Sequence, residues 1–382
     1  MPPIPLLLSA GEASGDMYAA QLASALQARL DLQIFGMGGP HMQAAGVEIV
    51  THYEEVAVVG ITEILKHLPS LVKAMDRIVT VADKRKPPLA ILTDFPGFHL
   101  RLARKLKRKG IRNVYYICPQ FWAWRPWRVN LIRHRFEKAL CIFPFEKEFF
   151  SDAGVPTEFI GHPLVGNVCA TKDRKQFCES HALIPGRPIV TVLPGSRSAE
   201  LAHHMPVLQE TCARIFAKVP AQFVVAAAHP KDVSLLKTGW PASVKPCVVE
   251  GETYNALAAA DAAIVSSGTA TVEAALLDAP MVVVYRVSPL TATLAKPLVR
   301  TPYFAMVNLV AEKQIVPELV QDDFTPERVS GEMLRLMQDP NARRTMRTGL
   351  AQVRNRLGPP GAVERAADAI GQLLAPVAGN AS

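Results

Sequence analysis

The chain has 382 residues, a length that favours two domains, because single cores stop growing at roughly 250–300 residues. Its 49% hydrophobic and 20% charged residues exclude a disordered chain, and no apolar run reaches the ~18–20 residues that cross a bilayer. The net charge of +8 is segregated: Arg101 to Lys138 holds twelve basic residues and one acid, Glu137, so that stretch carries +11 and the rest of the chain −3. Such a field suits an anionic partner, whether phosphate, nucleic acid or an anionic membrane surface; a pair of solvated helix faces would carry it as well.

In chain order, short apolar runs alternate with helical stretches. Ile4–Ser9 reads as a first strand rather than a signal peptide, because no basic segment precedes it. Leu32–Phe35, Leu89–Thr93, Val114–Cys118 and Ala139–Phe143 follow. Ile189–Leu193, Phe223–Ala227, Ala262–Ser266 and Met281–Tyr285 form a second series. Nearly continuous apolar runs of this kind belong to parallel strands covered on both faces, and the alternation implies βαβ units. The expected fold is α/β, with two doubly wound Rossmann-like domains whose parallel sheets face a central cleft. The pattern lapses after Gly161, which sets the expected divisions at 1–166, 167–350 and a helical tail 351–382. The six cysteines are scattered without a CxxC pair, which suits a reducing compartment and argues against zinc.

Five loops carry candidate chemistry. Gly11-Glu12-Ala13-Ser14-Gly15-Asp16 follows the first strand and opens a helix, where small residues admit a ligand to the backbone; a plain tight turn fits equally. Asp94 ends a buried strand, where a carboxylate among apolar neighbours is suited to general-base work or simply to a turn. Cys118–Arg128 packs Trp122, Trp124 and Trp127 beside Arg125 and Arg128, a combination for stacking on sugar and binding phosphate. Gly195, Ser196 and Arg197 lie after the first strand of the second series and suit a diphosphate. Ser267, Gly268 and Thr269 begin a helix whose amides and dipole favour phosphate, with Glu273 one turn further on; an ordinary N-cap fits that turn too. Between these loops, Ile61, Ile64, Leu65, Leu68, Val72, Met75 and Val79 recur at helical spacing, with Lys66 and Lys73 on another face. That is either a helix packed on a sheet or one that meets lipid. Pro69 interrupts the pattern and is expected to kink the helix.

Taken together and in this order, Gly11–Asp16, the Asp94 loop, Pro119–Arg125 with its WAWR core, Phe145-Glu146, Gly161-His162-Pro163, Leu193–Glu200, Ser267–Glu273 and Asn308-Leu309 resemble the lipid-A-disaccharide synthases, bacterial glycosyltransferases of GT-B architecture. The resemblance implies an inverting transfer from UDP-2,3-diacylglucosamine to 2,3-diacylglucosamine 1-phosphate (lipid X), giving the β-1,6 disaccharide 1-phosphate and UDP. It implies Asp94 and Arg197 as catalytic residues. UDP would lie on Gly195, Ser196, Arg197, Ser267, Gly268, Thr269 and Glu273. The sugars would meet Glu12, Ser14, Gly15, Asp16, Gln120, Trp122, Trp124, Arg125 and Asn308. Lipid contact would fall to Ile61, Leu65, Leu68 and Val72, with Lys66 and Lys73. No metal or other cofactor is implied. The expected place is the cytoplasm, peripheral on the inner face of the cytoplasmic membrane with its anionic surface, and a homodimer stays open. Two positions depart from the family pattern: Phe98-His99 stands where Phe-Asn is usual, and Gly166 where Asp is usual. A UDP-N-acetylglucosamine 2-epimerase or soluble-sugar transferase shares the fold and UDP loops but leaves the basic, Trp-rich surface unexplained. A nucleic-acid partner is not expected, because it would account for the charge and not for two diphosphate-type turns.

Overall fold

The computed structural model describes residues 2–56, 61–288, 292 and 301–375, without the side chains of residues 61–68 and of Trp124. The chain forms two compact units, residues 1–163 with 358–382, and residues 164–357.

Unit 1 runs β1 (Ile4–Ala10), α1 (Ala13–Gln27), β2 (Leu32–Gly38), α2 (Pro40–Ala44), β3 (Glu48–His52), α3 (Ile61–Arg85), β4 (Leu89–Thr93) and α4 (Pro96–Arg108). It continues with β5 (Arg112–Tyr116), α5 (Phe121–Trp124), α6 (Val129–Arg135), β6 (Lys138–Cys141), α7 (Pro144–Asp152) and β7 (Thr157–Phe159). Unit 2 runs α8 (Arg174–Ser180), β8 (Ile189–Leu193), α9 (Ser198–Phe216), β9 (Gln222–Ala227), α10 (Val233–Leu236), β10 (Cys247–Glu250), α11 (Thr253–Ala258) and β11 (Ala262–Ser266). It ends with α12 (Thr269–Leu276), β12 (Met281–Tyr285), α13 (Met306–Ala311), β13 (Glu318–Val320), α14 (Pro326–Gln338) and α15 (Pro340–Arg356). The last helix, α16 (Ala362–Leu374), returns to unit 1 and packs on α1, where Arg29 pairs with Asp368 at 3.3 Å.

Among the described residues, one sheet has the order β3-β2-β1-β4-β5-β6-β7 and the other β10-β9-β8-β11-β12-β13. Adjacent strands are parallel in both, for example β1 with β4 and β8 with β11. The strands expected from apolar runs are present, with ends shifted by a few residues. Four others, β3, β7, β10 and β13, had no such run, and they are the four sheet edges. Edge strands are covered on fewer sides and need fewer apolar residues. Thus β4, β8 and β11 are buried at every position, whereas β7 is half-exposed throughout.

One expectation for α3 changes. The helix runs through Pro69 as a single element. Its inward face is Ala74, Met75, Ile78 and Ala82, packed into the core with Phe35, Leu92 and Leu102. Val72 points outward at 53% exposure, beside the exposed Lys73. The apolar stripe therefore divides, because a helix lying on a sheet buries only one arc of its surface. The side chains of Ile61, Leu65, Lys66 and Leu68 lie outside the described residues. No described helix is long and apolar enough to cross a membrane.

Candidate active site

Each sheet has one place where the strand order reverses. In unit 1 it lies between β1 and β4, and in unit 2 between β8 and β11. At such a switch point the loops leave in opposite directions and open a crevice at the carboxyl ends of the strands, where ligands of open α/β sheets bind. The Gly11–Asp16 and Asp94 loops leave β1 and β4. The Pro194–Arg197 and Ser267–Thr269 turns leave β8 and β11. Four motifs far apart in sequence are thus two pairs.

In unit 1 the pair is in direct contact. A Cβ on Gly11 would lie 2.3 Å from the Phe95 ring, so only glycine lets the two loops close together. Asp94 and Phe95 both adopt left-handed backbone, with φ of 52° and 44°, at a cost on the order of 1 kcal/mol or more each. Three contacts hold Asp94 there. Its carbonyl accepts from His99 Nδ1 at 2.8 Å and from the Tyr115 hydroxyl at 2.8 Å, and its N–H donates to the Tyr116 carbonyl at 3.3 Å. Because that carbonyl only accepts, the His99 proton sits on Nδ1, and Nε2 is left to accept from the Ser9 hydroxyl at 2.8 Å. His99 is fully buried, and burial pulls its imidazole down to about 4. It is a neutral strut under the Asp94 loop.

Burial pushes the Asp94 carboxyl up to about 6; the nearby Glu12 carboxylate adds to the rise, and a hydrogen bond with the Phe95 backbone opposes it. A base that ionises just below neutral pH is mostly charged at pH 7 yet still takes up a proton readily. Glu12 and Ser14 are exposed, and Gly15 is buried at the start of α1. Asp16 is fully buried. Its Oδ1 accepts from the N–H groups of Gly39 (2.7 Å) and Met42 (3.2 Å), and its Oδ2 from that of His41 (2.9 Å). Its carboxylate is engaged by the first turn of α2 and braces the loop that carries Glu12 and Ser14.

The aromatic loop is anchored from below. The Trp122 indole N–H donates to Glu146 Oε1 at 3.2 Å, while Glu146 Oε2 accepts from the N–H groups of Ile142 (3.3 Å) and Phe143 (3.2 Å). Burial pushes the Glu146 carboxyl up to about 8; these donors oppose the rise, and Asp94 adds to it. Gln120 is exposed, Arg125 half-buried, and Trp127 exposed at 56%; the Trp124 side chain lies outside the described residues. Glu146 and His99 organise this site and were absent from the expected contacts. A signal for Glu146 was available: a glutamate at the third position of a helix that begins with proline can turn back to the amides just before the helix.

In unit 2, Glu200 ties the turn after β8: its Oε2 accepts from the N–H groups of Ser196 (3.0 Å) and Arg197 (3.3 Å). The Arg197 guanidinium lies 3.4 Å from Glu200 Oε1 and is largely exposed. The groups this turn offers an anion are therefore the Ser196 hydroxyl and the Arg197 fork. Gly268 has φ 149° and ψ −158°, a conformation reserved for glycine, and no side chain caps α12. The first amides of α12 thus lie at a helix N-terminus that its glycine N-cap leaves uncapped, the setting in which helices bind anions. The Ser267 hydroxyl donates to the Phe304 carbonyl at 2.9 Å, and Glu273 accepts from the Tyr254 hydroxyl at 3.2 Å. His204, buried, pins the two sides: its ring contacts the Pro194 carbonyl at 2.7 Å and accepts from the Arg286 N–H at 2.9 Å. Asn308 is fully buried. Its Oδ1 accepts from Ile315 and Val316 N–H, and its Nδ2 donates to the Val316 carbonyl and Glu318. All its hydrogen-bonding groups are engaged inside unit 2, where they shape the segment reached by Ser267. Among the described residues no group of three or more His, Cys, Asp or Glu is arranged to hold a metal ion.

The family model for lipid-A-disaccharide synthetase matches residues 6–367. A lipid-A-disaccharide synthase of Solibacter usitatus is 44% identical over 371 residues, covering 97% of each chain. Among solved structures, the calicheamicin glycosyltransferase CalG4 superposes with a TM-score of 0.61 at 20% identity, covering 99% of this chain and all of that one. The UDP-GlcNAc 2-epimerase of Neisseria meningitidis gives a TM-score of 0.67 at 10% identity, covering 97% of this chain and all of that one. At such identities the structural likeness establishes the GT-B type of fold alone.

Proposed function

The chain belongs to the lipid-A-disaccharide synthase family, and on that footing we propose how its residues carry out the transfer. The reaction joins UDP-2,3-diacylglucosamine to 2,3-diacylglucosamine 1-phosphate and releases UDP. Unit 2 binds UDP: the Arg197 guanidinium, the Ser196 hydroxyl and the first amides of α12 take the diphosphate, and Glu273 faces the ribose. Unit 1 takes the acceptor beside Asp94, with Glu12, Ser14, Gln120, Trp122, Trp124 and Arg125 around the sugars. Asp16 and Asn308 act on this site through the backbone they hold.

The donor is α-linked and the product β-linked, so one displacement inverts the anomeric carbon. The acceptor 6-hydroxyl attacks that carbon while its proton passes to the Asp94 carboxylate. The bond to UDP breaks through an oxocarbenium-like state. Charge grows on the departing diphosphate and is met by Arg197 and the helix amides, groups already oriented in the folded chain. The observation that carries this reading is the placement of Asp94 and of the phosphate-type turns at the two switch points, with the Asp94 carboxyl raised toward neutrality. The outward Val72 and Lys73 and the basic α4–α6 region support contact with an anionic membrane surface, and a homodimer is compatible with the reading.

The test is incubation with the two acyl-sugar substrates, with and without EDTA, followed by mass analysis. A β-linked disaccharide 1-phosphate and UDP in equal amounts, formed equally in EDTA, is the expected result. UDP release without disaccharide would replace this reading with a hydrolase, and epimerisation detected by NMR in a parallel incubation with UDP-GlcNAc would replace it with an epimerase.

A further inference from the structure

A groove of about 530 Å³ opens in unit 1 between α3, α4 and α6, within the size range of small-molecule sites. It begins at Pro96 and Gly97, two and three residues beyond Asp94. Met75, Leu100 and Leu131 line it with apolar surface, and Val72 stands at its edge. Over this surface stand Arg101, Arg104 and Arg108, one side of α4, and Arg128 and Arg135 from the α6 side. No acidic side chain lines the groove among the described residues.

Among the described residues, Arg101, Arg104 and Arg135 form no ion pair with an acidic side chain. Lys105, which also lines the groove, pairs with Asp76 at 2.6 Å. Arg101 donates to the Gly97 carbonyl at 2.6 Å and Arg135 to the Leu100 carbonyl at 2.7 Å. Burial lowers the Arg135 guanidinium, and the positive charges of Arg104 and Arg101 lower it further. Arg128 is lowered by burial and then by Arg125 and Arg101. Like charges crowded over apolar surface raise the energy of the empty groove, and an anion seated among them relieves it.

We propose that this groove selects the acceptor, with Arg101, Arg104 and Arg135 gripping its phosphate monoester while its acyl chains lie over Leu100 and Leu131. The assignment rests on the proposed transferase reading and deepens it. A compact dianion beside hydrocarbon is the chemistry that an arginine cluster over an apolar floor matches, since the planar forks engage phosphate oxygens in pairs. Bulk attraction to a membrane would need the charge and not an apolar groove beneath it. None of these arginines belongs to the Pro119–Arg125, Leu193–Glu200 or Ser267–Glu273 motifs.

The test uses the full chain in neutral detergent micelles, with two acceptors: the 1-phosphate and the same acyl sugar lacking it. Arg104 is exposed, so Arg104→Gln leaves the fold intact, as an unchanged unfolding midpoint will check; Arg101→Gln/Arg104→Gln deepens the effect. For the double variant, KM for the phosphorylated acceptor rises by about tenfold or more, while kcat and the affinity for UDP hold. The rate on the dephosphorylated acceptor, already low in the wild type, stays where it was. Equal loss on both acceptors, or no loss on either, would overturn the proposal. So would a loss confined to vesicles of anionic phospholipid and absent in micelles, which would assign the arginines to the membrane surface. If the wild type makes no disaccharide, the transferase reading fails. Calorimetric binding of the phosphorylated acceptor to wild type and double variant then still decides the groove: weaker binding by the variant upholds the site, and equal binding overturns it.

Discussion

Replacing Asp16 by alanine separates a brace from a substrate contact. The wild-type carboxylate accepts three backbone N–H groups at the start of α2, from Gly39, His41 and Met42, at 2.7 to 3.2 Å. The His41 N–H is only part-buried, so water can replace its partner. The Gly39 and Met42 bonds are buried, and each stranded donor costs about 1–3 kcal/mol. Asp16→Ala should therefore cost roughly 2–6 kcal/mol of a total that is typically about 5–15 kcal/mol. Asp16→Asn keeps one oxygen for Gly39 and Met42 and sets an NH₂ against the His41 N–H, so it should cost about 1–2 kcal/mol. Urea unfolding followed by tryptophan fluorescence reads unit 1 preferentially, because Trp122, Trp124 and Trp127 lie there and only Trp240 lies in unit 2. If Asp16→Ala unfolds at the wild-type midpoint yet loses turnover, the brace is wrong and the carboxylate meets substrate.

Two further outcomes follow from buried carboxyls. Because Asp94 must be ionised to accept a proton and its carboxyl is raised to about 6, kcat/KM should fall tenfold per pH unit below about pH 6 and level off above it. Glu12→Gln, which removes one of the two causes of that rise, should move this limb to lower pH; an unmoved limb would separate it from Asp94. For Glu146 the folded carboxyl at about 8 stands above its ordinary 4.5, so the folded chain holds this proton more tightly than the unfolded one. Its stabilising effect is complete below pH 4.5 and is lost as pH rises toward 8. Glu146→Gln should thus lose less Tm than the wild type between pH 5 and pH 8, and equal losses would show that Glu146 does not carry the pH dependence.

The central strands and the four switch-point loops were legible because burial on both faces writes a continuous apolar run, and small residues at strand ends mark turns. The edges β3, β7, β10 and β13 wrote no such run. Asp16 and Asn308 were expected among the sugar contacts, since a polar residue in a motif reads the same whether it faces substrate or braces the chain. Their buried, engaged hydrogen-bonding groups, which no local pattern records, support the bracing role proposed for them. Val72 and Met75 share a stripe in sequence and part in the structure, one outward and one in the core. The excess of positive charge was plain, but the groove was not: its lining comes from α3, α4 and α6, which the sheet brings together and no local pattern records. His99 stood out as a departure from the family pattern, and its place as a strut between Ser9 and Asp94 emerged only from the packing.

The most direct measurement is turnover by Asp94→Asn beside UDP binding by the same variant. The amide keeps the size of the side chain and cannot take up the proton. The proposed mechanism predicts a fall in turnover of about 10²–10⁴-fold, with the Kd for UDP unchanged, because UDP lies on unit 2. Wild-type turnover by Asp94→Asn would contradict it.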